Sequence, residues 1–119
     1  MILPKLIEYM LTNLTFNDES VYVGMEAPSE KSGYVLIDQT GSSTTNHITT
    51  TTIAMQSYGD TLYNALLLNE AAKAVMFSFA GEPEVASVKL ETDYNFTNTA
   101  TKQYRWQAVF QITHYLGGN

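Results

Sequence analysis

Hydrophobic and polar residues alternate through most of the C-terminal third of the chain. Val88, Leu90, Thr92, Tyr94 and Phe96 fall on one side of an extended backbone, and Lys89, Glu91, Asp93 and Asn95 fall on the other. After a polar connector the pattern resumes, with Tyr104, Trp106, Ala108, Phe110 and Ile112 set against Arg105, Gln107, Gln111 and Thr113. Successive strand side chains point to opposite faces, so two half-buried strands are predicted, joined as an antiparallel hairpin.

The N-terminal stretch has a different period. Leu3, Leu6, Ile7, Met10, Leu11 and Leu14 recur every three or four residues, which predicts a helix over roughly residues 3–14 with Pro4 tolerated in its first turn. Asn17 and Asp18 mark a turn, and Val21 to Met25 is a short β-rich run. Ala27 to Gly33, with Pro28 and Ser29, is a loop. Tyr34 to Thr40 is a strand whose continuous hydrophobicity suits a central position. Gly41-Ser42-Ser43 is expected to turn the chain into a second strand, His47 to Tyr58. Four threonines at 49–52 sit in that strand and favour extended backbone by their β-branching.

The main helix is expected to open at Gly59-Asp60, with Asp60 as its N-cap, and to run to about Ala80. Gly81 and Pro83 would stop it. Leu62, Ala65, Leu66, Ala72, Met76 and Phe79 form its core stripe. Tyr63, Leu67, Ala74 and Phe77 lie outside that stripe. Two readings are open for this second apolar face: a helix embedded on all sides, or a contact with another subunit. The order is α-β-β-β-α-β-β. The fold class is therefore α+β, with two helices packed on a mostly antiparallel mixed sheet, in one domain over residues 1–119. Leu66, Met76, Phe110 and Ile112 are expected in its core.

Composition narrows the chemistry. There is no cysteine, so disulfides, a thiol nucleophile and a cysteine-based metal site are excluded, and an intracellular setting is expected. The net charge of -6 argues against specific nucleic-acid binding, which needs clustered Lys and Arg. No leader pattern is read at the N-terminus, and no apolar run has the length of a membrane span, so no membrane partner is expected. His47 and His114 each stand at a strand end without a second ligand at metal spacing, so no metal site is expected. Glu82 and Glu84 flank Pro83 in a loop and lack the context of a catalytic acid pair. Gly41-Ser42-Ser43 lacks the Lys of a phosphate loop, and no nucleophile elbow or dinucleotide fingerprint occurs. No catalytic residue and no cofactor are expected. Met10, Met25, Met55 and Met76, four of the five methionines, read as core filler. Trp106 reads as core or interface, and the eight tyrosines suit an interface.

Several stretches carry a resemblance. Tyr34-Val-Leu-Ile-Asp-Gln-Thr40 runs into Gly41, and Ile53-Ala-Met-Gln-Ser-Tyr58 leads into the helix that begins Asp60-Thr-Leu-Tyr-Asn-Ala. The last strand carries Tyr104-Arg-Trp-Gln-Ala-Val-Phe-Gln-Ile112. In this order the chain resembles the tail terminator (tail completion) proteins of long-tailed, non-contractile bacteriophages, along nearly its whole length. Ser42 and Ser43 depart from the pattern, where many members have a second glycine. The resemblance implies a structural subunit of the virion tail, built in the host cytoplasm, and no enzyme. It would form a homohexameric ring that caps the tail tube protein, ends polymerisation and meets the head-side connector, with DNA passing through the ring. Alternatives are another head–tail connector or tail tube component, and a small ligand-binding α+β domain. Interface candidates are Tyr63 and Leu67 on the main helix, with Asn98, Lys102 and Arg105 around the connector Thr97 to Gln103. That connector is expected to be mobile in the free subunit. Arg105 is expected to pair with an acidic neighbour.

Overall fold

A computed structural model describes residues 2–29 and 33–115. Helix α1 (Ile2–Asn13) leads to a two-residue ribbon, β1 (Thr15–Phe16) and β2 (Glu19–Ser20), then β3 (Val23–Gly24), β4 (Tyr34–Thr45) and β5 (Ile48–Gly59). Helix α2 (Leu62–Ser78), a 3-10 turn (Phe79–Gly81), β6 (Val85–Asn95) and β7 (Tyr104–Tyr115) complete it. The main sheet has the order β3-β4-β5-β7-β6; β3 runs parallel to β4 and every other pair is antiparallel. The fold is α+β, with two helices on a mostly antiparallel mixed sheet. The β1–β2 ribbon adds to the expected order. Its turn is Asn17-Asp18, both with positive φ (54° and 63°), which is the twist a two-residue hairpin needs.

The β4–β5 connection corrects the sequence reading. Gly41-Ser42-Ser43 does not turn the chain; β4 continues through it, with a bulge between Gln39 and Gly41. The turn is Asn46-His47, at φ 52° and 66°, so His47 is a turn residue and the strand begins at Ile48.

Both helices pack on one face of the sheet. Leu3, Leu6 and Met10 of α1, Ala65, Leu68, Ala72 and Met76 of α2, and Phe79 meet the inward side chains Val35, Ile37, Ile53, Met55, Ala108, Phe110 and Ile112 in one core. Cross-strand pairs share a face, so the register Ile53↔Phe110 and Met55↔Ala108 fixes which face is inward. Met76, Phe110 and Ile112 are buried as expected, but Leu66 is only half-buried and Leu62 is exposed. Leu68 and Asn69 take the inward positions instead, in line with Ala65, Ala72 and Met76. Met25 is not core filler; it is 60% exposed.

The helix ends also differ. Thr61, not Asp60, is the N-cap, and its Oγ1 accepts from the Asn64 amide at 3.0 Å. Asp60 Oδ1 accepts from the Asn64 side chain at 2.7 Å instead. At Gly59 an added Cβ would stand 2.6 Å from the Ala65 backbone nitrogen, so only glycine lets β5 pass this close to the first turn of α2. Gly81 lies inside the 3-10 turn rather than capping α2.

Candidate functional site

The second apolar face of α2 is open. Tyr63 is 68%, Leu67 36% and Phe77 45% exposed, and Ala74 is exposed between them. At 100° per residue these positions form one line along the solvent side of the helix. Phe77 also meets the buried Phe110 edge-on, with ring centroids 5.5 Å apart, so the line is rooted in the core. In the single chain this face is therefore not embedded.

Beside it lies a polar cluster that sequence reasoning missed. A bulge between Leu90 and Thr92 reverses the alternation of β6. Val88 and Leu90 pair with Ile112 and Phe110 on the helix side, whereas Thr92 and Tyr94 pair with Val109 and Gln107 on the other. The single-faced row Val88-Leu90-Thr92-Tyr94-Phe96 is thus split, and Asp93 turns toward α2. Its Oδ1 accepts from Asn69 Nδ2 at 2.9 Å and Trp106 Nε1 at 2.7 Å, and Lys73 donates to Oδ2. Lys73 also pairs with Glu70 at 2.6 Å. Trp106 is half-buried and ties β7 to Asp93 of β6, which in turn holds Asn69 and Lys73 of α2. Asn69 is fully buried, and its Oδ1 has no protein partner.

Burial alone would raise the Asp93 carboxyl, but the bonds from Lys73, Asn69 and Trp106 outweigh it and hold the group below its usual value. Burial lowers His114, whose Nε2 lies 2.9 Å from Thr51 Oγ1. In both cases the unfolded chain takes up a proton more readily than the folded one, so both contributions favour the fold above the unfolded values and are lost in acid. Stability is expected to fall as pH drops below 6.5 through His114 and again below 3.8 through Asp93. Thermal melting against pH checks this: His114→Gln should remove the upper stage and Asp93→Asn the lower.

The opposite face of the sheet carries no helix among the described residues, and its side chains satisfy one another. Tyr58 donates to Gln56 Oε1 at 2.8 Å, Gln56 Nε2 to Gln107 Oε1 at 2.7 Å, and Gln107 Nε2 to the Tyr94 hydroxyl. Tyr34 stacks on Tyr58 at 4.6 Å. Arg105 belongs to this network. Its Nε donates to the Phe96 carbonyl at 2.7 Å, its Nη1 reaches the Tyr58 hydroxyl at 3.3 Å, and its guanidinium lies 4.5 Å from the Phe96 ring centre. Two of its donors are thus engaged within the chain.

The connector Thr97 to Gln103 is a hydrogen-bonded turn. Asn98 and Gln103 exchange two backbone bonds of 3.1 Å, and Asn98 Oδ1 accepts from the Ala100 amide at 3.1 Å. Lys102 closes it at φ 54°. The five interface candidates therefore separate. Tyr63 and Leu67 share the α2 line, while Asn98, Lys102 and Arg105 belong to the far end of the β6–β7 hairpin. Among the described residues no group of three or more His, Asp or Glu side chains is placed to hold a metal ion. No helix of the described chain is long and apolar enough to cross a membrane. No protein-family model and no curated protein matches the chain.

Proposed function

We propose that the chain is a structural subunit of a bacteriophage virion, of the tail terminator type. It assembles as a homohexameric ring, caps the tail tube, ends its growth and presents a surface to the head-side connector. The observation that carries this reading is the exposed apolar line Tyr63-Leu67-Ala74-Phe77 on α2. Three large apolar side chains, Tyr63, Leu67 and Phe77, stand exposed on one side of the helix with Ala74 and the Lys73-paired Glu70 between them, and are suited to burial against a neighbouring subunit. The net charge of -6 supports the same reading from another side. Like-charged copies repel, so association rests on apolar burial, and an acidic ring does not hold the DNA that passes through it.

Tube growth tests the function. The purified chain, added to a polymerising tube protein from the same phage, is expected to stop elongation and to be found at one end of each tube. Tubes of unchanged length, with the chain left in the supernatant, would contradict the terminator role.

A further inference from the structure

The two edges of the main sheet are built differently. β6 is guarded: it has two bulges and carries Lys89, Glu91 and Asp93. Such features deter the pairing of a further strand. β4 is not guarded in this way. β3 covers only Val35 and Leu36, and among the described residues no strand pairs with that side of β4 from Ile37 to Thr45. Residues 38–45 are all exposed and include one charge, Asp38, and no proline. Their backbone N–H and C=O groups on that side face outward without a ladder partner.

An apolar groove of about 580 Å³ opens beside this edge, where a longer β3 would have continued. Ile7 and Leu11 of α1 form one wall, Met25 forms the end and Gln39 forms the β4 side, with Glu8 at the rim. Leu11 is 45% exposed although it lies on the apolar stripe of α1. Main-chain hydrogen-bonding groups and an apolar pocket on one side of an open strand are the two elements of recognition by strand addition.

We propose that the β4 edge and this groove bind an extended segment of a different protein. The segment adds a strand beside β4, sets a large apolar side chain against Ile7, Leu11 and Met25, and carries a basic residue next to it. Strand alternation turns that neighbouring residue to the opposite face of the sheet, where Asp38 stands on β4 opposite Ala54. A second copy of this chain is the wrong occupant. Its β4 edge offers only Asp, Gln, Thr, Gly and Ser from 38 to 45, with nothing to fill the groove. The apolar residues of its β6 edge, Val88 and Leu90, are packed on its own core. The inference does not rest on the ring reading, since the groove lies on α1 and β4 and the exposed line lies on α2.

The test is a nitrogen-15 NMR titration of the whole chain with a synthetic octapeptide, mostly threonine, with one central leucine flanked by lysines. Two control peptides replace the leucine by serine or carry N-methyl groups on alternate residues. Saturable shifts at the amides of Gln39 to Thr45 are expected. Each control, and each of the variants Leu11→Glu and Met25→Glu, is expected to weaken binding by about tenfold or more. Both variants replace exposed side chains, and either alone suffices if the other fails to fold. Three results would overturn the proposal: no saturable shifts, equal affinity for the N-methylated peptide, or shifts of the β4 amides that grow with protein concentration without peptide. The last would assign the edge to a second copy.

Discussion

Phe110→Ala is expected to lower the stability of the chain by about 3–5 kcal/mol, since it removes a fully buried ring from the centre of the core. Phe110 lies on β7 opposite Ile53 and Leu90, and Phe77 of α2 meets its edge. The deletion therefore opens a cavity where both neighbouring strands and the helix converge, and none of the three can close it alone. A fall in thermal midpoint of roughly 10 °C or more follows for a domain of this size. An unchanged midpoint would mean that Phe110 faces away from α2, one residue out of the register described here.

Leu67→Glu is expected to abolish self-association while leaving the fold intact. The side chain projects to solvent, so a carboxylate there costs the single chain little. In an assembled ring the same carboxylate would be buried at the centre of an apolar contact, unpaired, in a particle that already repels itself. Tyr63→Asp, one turn earlier, is expected to act in the same direction. Circular dichroism of each variant separates loss of assembly from loss of fold. A Leu67→Glu protein that still associates would move the interface away from α2.

The sequence pattern carried the fold class because two different periods, near 3.6 and 2, are each sustained over long segments. It marked Tyr63, Leu67, Ala74 and Phe77 as surplus to one buried stripe, but left open whether that face is embedded or exposed, because periodicity does not tell what packs on a second apolar face. It failed where a single backbone residue changes the phase. Val88 to Phe96 alternates without interruption in the sequence, yet the bulge at Glu91 turns Asp93 to the helix and Tyr94 away from it. Alternation cannot register a bulge, because the inserted residue is simply one more member of the series. The Asp93 cluster was hidden for that reason. Gly41 attracted a turn assignment through its permissive backbone, but the turn belongs to Asn46-His47, where both residues must adopt positive φ and a type I′ geometry closes twisted strands. The chemistry of Met25 alone points to the core, whereas β3 ends at Gly24 and leaves it exposed, a length the sequence pattern does not reveal. The intrachain contacts of Arg105 are likewise illegible in the sequence. Its position beside Phe96 and Tyr58 depends on the closed connector, which composition does not reveal.

Sedimentation velocity across a range of protein concentrations, at low and high salt, bears most directly on the ring. The account predicts a species near six times the 13.3 kDa chain mass, favoured by added salt because screening relieves the repulsion between acidic subunits, and absent for Leu67→Glu. A chain that sediments as a 13.3 kDa monomer at every concentration and salt would contradict it.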